Sequence, residues 1–116
     1  MIIHFGNPTV LFKLKNIPEA TQEQLDAFKE KAKHEISEAL AKVPGPFVPM
    51  QFGGPLITDR TKGYDFSLFA RFKDRAALDT YAANDEHRWV IDNIIRPHTD
   101  IEETIDYDLE IPDDAW

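Results

Sequence analysis

Two side chains six residues apart, Tyr81 and His87, are the pair in this chain best suited to chemistry. They flank Asn84-Asp85, a polar break between two apolar-periodic stretches. An imidazole titrates near neutral pH and can take a proton alpha to a carbonyl, so His87 is a candidate general base. A phenol donates a hydrogen bond to a carbonyl or developing enolate oxygen, or orients the histidine, and Tyr81 fits either task. The pair suits an aldol-type cyclisation, a tautomerisation or a decarboxylation that needs no cofactor. The competing reading is structural: a core-facing histidine in the first turn of a helix, and a tyrosine whose hydroxyl bonds to backbone.

The elements that must hold this pair can be read from periodicity. Val10–Lys15 alternates and predicts a half-buried strand, after a turn at Gly6-Asn7-Pro8. Thr21 with Gln24 forms a capping box that opens a long helix, and Pro44-Gly45-Pro46 closes it. Phe47–Phe52 is a weaker strand, demoted towards an edge by Pro49. The loop Gly53–Gly63 reads as a plain connection or a flap. Tyr64–Phe72 is the clearest central strand. Asp74 caps the helix bearing Tyr81, and Asn84-Asp85 re-caps a second helix that Pro97 should end. On it, His87 shares a stripe with Val90, Ile91, Ile94 and Ile95, whereas Trp89 falls about 200° away. Ile101–Ile111 alternates strictly and predicts the last strand.

The order β-α-β-β-α-β predicts a single α+β domain over residues 1–116, ferredoxin-like, with a four-stranded antiparallel sheet and helices on one face. The bare face is expected to carry Leu11, Lys13, Ser67, Phe69, Arg71 and the acidic row of the last strand. Such a mixed face suggests a second copy of the chain as its cover. On the helical side, Phe28, Phe66, Leu68, Val90, Ile91 and Ile94 form a candidate apolar pocket for an acyl chain or aromatic ring.

Other residues carry less. His34 lies among charges off its helix stripe and reads as solvated; His98 follows Pro97 in a loop without a second ligand. Carboxylates at alternate positions of the last strand are ordinarily a solvated or salt-bridged face, so no metal site is assigned. A phosphate loop, a nucleophile elbow and a zinc-helix motif are all missing, and no cofactor is expected.

Composition narrows the partners. A net charge of −8 disfavours nucleic acid and anionic membranes, since both are bound largely through lysine and arginine. No cysteine is present, so disulfides and thiolate chemistry are excluded. The first residues lack a secretory pattern, and no apolar run approaches the ~20 residues needed to span a bilayer. A cytoplasmic, soluble protein is expected.

Beyond these readings, VLFKLK followed by a helix, then GYDFSLFARFKDRAALDTYAANDEHRWV, then DYDLE resembles the stress-responsive A/B barrel domain family from about Val10 to Glu110. The sharpest part is Gly63-Tyr64-Asp65 followed by Leu78, Tyr81 and His87. The resemblance implies a homodimer whose two sheets close into an α+β barrel. Most members have no assigned activity, but the plant olivetolic acid cyclase closes a linear polyketide by aldol condensation, with a catalytic tyrosine and histidine that match Tyr81 and His87. The resemblance therefore implies a hydrophobic carbonyl or polyketide-like ligand. It leaves open a non-enzymatic stress or oligomeric role and a cofactor-free monooxygenase. The family often places a histidine just before its first strand. Aligned on VLFKLK, Pro8 occupies that place, and His4 fills the role only through a bulge at Gly6-Asn7-Pro8.

Overall fold

The computed structural model describes residues 4–112, and the side chains of residues 9–108. Four strands form one antiparallel sheet: β1 (His4–Phe12), β2 (Gln51–Gly53), β3 (Phe66–Phe69) and β4 (Ile105–Pro112), in the order β2-β3-β1-β4. Helix α1 (Gln22–Ala41) joins β1 to β2, and α2 (Arg75–Ala83) and α3 (Asp85–Val90) lie between β3 and β4. The expected α+β, ferredoxin-like order is the observed one.

Local chemistry explains the helix ends. Thr21 accepts from the Gln24 N–H at 3.1 Å, and the Gln24 side chain accepts from the Thr21 N–H at 3.0 Å. Asp74 accepts from the Ala77 N–H at 2.8 Å and so starts α2. Asn84 closes α2 in an extended conformation and caps α3, accepting from the N–H groups of Glu86 and His87.

One face of α1 buries Ala32, Ile36 and Leu40, spaced a turn apart, against Phe12, Phe66, Leu68 and Phe72. Each of the larger side chains contributes about 1.5–3 kcal/mol by leaving water. In β3 the alternation is as expected: Phe66 and Leu68 are buried towards the helices, and Ser67 and Phe69 lie half-buried on the opposite face.

Several boundaries differ from the expected ones. β1 does not start at Val10 but runs straight through Gly6-Asn7-Pro8, paired with β4 from His4↔Pro112 to Leu11↔Ile105. Only Thr9–Phe12 also pair with β3, so Pro8 sits on a strand open along one side, where its missing N–H is tolerated. Beyond Phe12, Leu14 makes one isolated bridge to Thr99. β2 shrinks to three residues after Pro49. β3 is confined to Phe66–Phe69, although the buried alternation continues through Ala70 and Phe72.

Pro97 does not end the second helix. The chain widens into a π turn over Ile91–Ile95, where the Arg96 N–H reaches back five residues to the Ile91 carbonyl, and helical structure then continues over Arg96–His98. A proline has no N–H to return and its ring crowds the preceding turn. Ile101–Glu103 is a 3₁₀ turn and not strand.

The acidic row also changes sides. Asp106 pairs with Val10, which pairs with buried Leu68, so Asp106 and Asp108 occupy the helical face. The bare face instead carries Ile105 and Tyr107 beside Leu11, Thr9, Ser67 and Phe69. A strict alternation cannot say which of its two rows faces the helices; register decides it.

Candidate functional site

Tyr81 lies two residues before the end of α2, and His87 in the first turn of α3. The extended residue between the helices, Asn84, folds α3 back so that the two rings meet, with centroids 4.2 Å apart and planes at 40°. On its other side the Tyr81 ring packs on Phe72, centroid to centroid 4.9 Å. Tyr81 is 7 % exposed and Phe72 is fully buried, so the tyrosine is held within the core.

The polar atoms of this pair have a particular status. Tyr81 Oη and His87 Nδ1 are both buried, and neither makes a hydrogen bond of good geometry among the described residues, although the Ala82 backbone lies close enough to the His87 ring to favour its protonated form. Such groups are uncommon, because an unpaired buried donor or acceptor costs about 1–3 kcal/mol. Burial pushes the Tyr81 hydroxyl well above its ordinary range, so it stays protonated and able to donate. Burial pulls the His87 imidazole below its usual value, with the backbone of Ala82 opposing the shift. At neutral pH the site thus holds a neutral imidazole beside a phenol.

Of the six apolar residues expected to line a pocket, Phe66, Leu68 and Val90 belong to the buried core that also holds Tyr81, Ile91 and Ile94 pack against that core, and Val90 also lines the cavity described below. Phe28 stands apart, its ring 5.8 Å from His98. His4 lies in β1 opposite Pro112, and its side chain falls outside the described ones. A cavity of about 480 Å³ opens on the outer side, between α1 and α3, lined by Ala39, Val43, Trp89 and Val90 with Lys42, Asp85 and Glu86 at its rim.

His98 is more engaged than the sequence suggested. Its Nδ1 lies 2.7 Å from the Ile94 carbonyl and its Nε2 3.2 Å from a Glu35 carboxylate oxygen, so it ties the end of the second helix to α1. Nothing in the spacing of Glu35 and His98, 63 positions apart, announces that contact. His34 is exposed beside Glu38, as its polar surroundings imply.

The Gly63-Tyr64-Asp65 motif is structural in its contacts. Gly63 takes a positive φ of 89° against the Lys13 side chain. The Tyr64 hydroxyl donates to the Glu103 carbonyl at 2.7 Å. Asp65 accepts from the Leu14 N–H at 2.9 Å and pairs with Lys29 at 2.9 Å. The motif therefore joins the continuation of β1 to α1 and to the 3₁₀ turn before β4.

Comparison with known proteins fits this architecture. The family model described as Dabb, Stress responsive A/B Barrel Domain, matches residues 8–109. A Dabb family protein with a ferredoxin-like fold from Mesorhizobium loti superposes with a TM-score of 0.62 at 20% identity, covering 91% of this chain and 95% of that one. A dimeric ferredoxin-like protein of unknown function from Thermobifida fusca gives 0.65 at 18% identity, over 93% and 92%. A hydroxynitrile lyase from Passiflora edulis gives 0.64 at 13% identity, over 92% and 93%. At these identities the shared property is the fold. No curated protein matches the chain.

Proposed function

We propose a function for a chain that belongs to the stress-responsive A/B barrel domain family: a homodimer that binds a hydrophobic carbonyl or polyketide-like molecule and, without a cofactor, catalyses its aldol-type cyclisation or isomerisation. The observation that carries this reading is the tilted ring pair whose two polar atoms, Tyr81 Oη and His87 Nδ1, are buried without a well-formed hydrogen bond. One is a protonated donor and the other belongs to a neutral ring, which is the complement a carbonyl undergoing enolisation requires.

In the proposed reaction His87 Nδ1 takes the proton alpha to the substrate carbonyl. The electron pair of that C–H bond becomes the enolate, whose oxygen accepts a hydrogen bond from Tyr81. For isomerisation the proton returns to another carbon of the enolate system. For cyclisation the carbanion attacks a second carbonyl of the same molecule, a C–C bond forms, and the new alkoxide takes the proton from the imidazolium. No electrons enter or leave. The apolar part of the ligand would pack against Phe66, Leu68, Val90, Ile91 and Ile94, with Phe28 further along α1 and His4 at the start of β1 as outer candidates. That a hydroxynitrile lyase shares the fold supports the scaffold's capacity for catalysis.

The dimer is supported by two observations. Relatives of the same fold are dimeric, and Ile105 and Tyr107 are exposed on the sheet face that carries no helix. Their rings and branches would leave water against a second sheet.

The test is turnover of a linear poly-β-carbonyl thioester, followed by the appearance of the cyclised product. Tyr81→Phe and His87→Gln should each lower kcat by about 10²-fold or more. Rates unchanged in both variants would reject the assignment.

A further inference from the structure

Gly45 stands between Pro44 and Pro46 in the turn after α1, at φ +144°, a conformation L side chains rarely adopt. Backbone freedom is only part of its role. A Cβ built at this position would lie 2.7 Å from Tyr81 Cδ2, 3.4 Å from Tyr81 Cβ and 3.3 Å from Phe72 Cε1. The turn thus lies directly on the tyrosine ring, at a distance a side chain would forbid.

We infer that Gly45 is a positioning residue for the candidate site, the wall that seats the Tyr81 ring against His87. The inference rests on the reading of Tyr81 and His87 as donor and base. The ring packs against Phe72 and His87, and the Gly45 turn lies over its Cδ2 edge. Phe72 is fully buried and cannot retreat. The turn is held as well, since Val43 N–H donates to the Leu40 carbonyl at 3.1 Å and Phe47 N–H to the Arg71 carbonyl at 3.1 Å. The two flanking prolines fix their own φ angles. His87, half-buried, is the softest of the three neighbours. A methyl group at position 45 therefore displaces the tyrosine ring towards the histidine, and the geometry of the pair changes before the rest of the core does.

The experiment compares Gly45→Ala with Ile36→Val, a destabilising truncation of the core on α1. Ring-proton signals of His87 are followed by NMR across a pH titration, with His87→Gln for assignment, and turnover of the poly-β-carbonyl thioester is measured in parallel. Gly45→Ala should move the His87 ring signals and their titration midpoint, and lower kcat by up to about 10²-fold with little change in KM, as expected for a misplaced catalytic group. Ile36→Val should leave the ring signals in place. Unmoved His87 signals in a folded Gly45→Ala protein would overturn the inference and leave Gly45 a turn residue only. Moved signals with a Tyr81→Phe variant that still turns over the thioester would sink the catalytic reading while the positioning stands. Should Gly45→Ala fail to fold, the parent protein decides, through nuclear Overhauser contacts between the Gly45 α protons and the Tyr81 ring protons. Their presence supports the seat; their absence in the folded parent overturns it.

Discussion

Val10 and Asp106 stand opposite one another across β1 and β4, on the side of the sheet that carries the helices. An acid in that row is an unexpected neighbour for a half-buried valine that packs against the core. Although the residue as a whole is exposed, its carboxyl is partly desolvated and shares a hydrogen bond and a like charge with Asp108. Burial first, then Asp108, pushes Asp106 up to about 7.

A pH dependence follows. Between the ordinary value of 3.8 and about 7, the folded state keeps a proton on Asp106 that the unfolded chain has lost. Stability from this group is therefore greatest in acid and declines as pH rises through that window. Asp106→Asn should flatten the decline, measured as the difference in Tm between variant and parent from pH 4 to 7.5. A parallel pair of curves would contradict it.

His87 acts with the opposite sign. Its folded value is lowered, so below 6.5 the unfolded state binds the proton more readily. Its contribution is complete above 6.5 and is lost as pH falls from there through the depressed folded value. Catalysis should fade over the same fall, because only the neutral ring can accept a proton. The check is the acid limb of kcat/KM together with the His87→Gln stability profile, which should lack this slope.

Tyr81→Phe should separate stability from activity. The hydroxyl it removes is buried and unpaired, so its loss should leave the fold unharmed or raise its stability by up to about 1 kcal/mol. Activity should fall in the same protein. Chemical denaturation of the two forms tests the first half; a loss of more than about 1 kcal/mol would mean that the hydroxyl has a structural partner after all.

Asp65 should matter to the fold and not to the pair. Removing its charge-assisted bond to Leu14 N–H and its ion pair with Lys29 by Asp65→Ala should cost about 1.5–3 kcal/mol. Asp65→Asn should retain part of that by keeping an acceptor. Urea midpoints of the two variants decide between them, and equal midpoints would show that the ion pair, not the backbone bond, is the dominant contribution.

The helix caps were legible in the sequence because their physics is local. Thr21, Asp74 and Asn84 each bond to backbone within three residues of themselves. Periodicity likewise placed Tyr81 and His87 on inward stripes, and the structure brings their rings together. The misread parts depend on partners distant in sequence. Whether Asp106 faces the helices is settled by its alignment with Val10, 96 positions away. Pro8 reads as a strand breaker until β3 is seen to leave one side of β1 open. The close seat of Gly45 on Tyr81 needed the third dimension altogether.

The widened turn at Ile91–Ile95 makes the second helix sensitive to length as well as to composition. It holds one residue more than the same stretch of regular helix would, and the wide turn absorbs that residue so that the two ends keep their relative phase. A one-residue deletion there should restore ordinary helical bonding and leave both the His87–Tyr81 and the His98–Glu35 contacts in place. A further insertion has no such outlet and would rotate one end relative to the other by about 100°. The wide turn is thus a gauge between two anchored ends, tolerant of losing its extra residue and intolerant of gaining another.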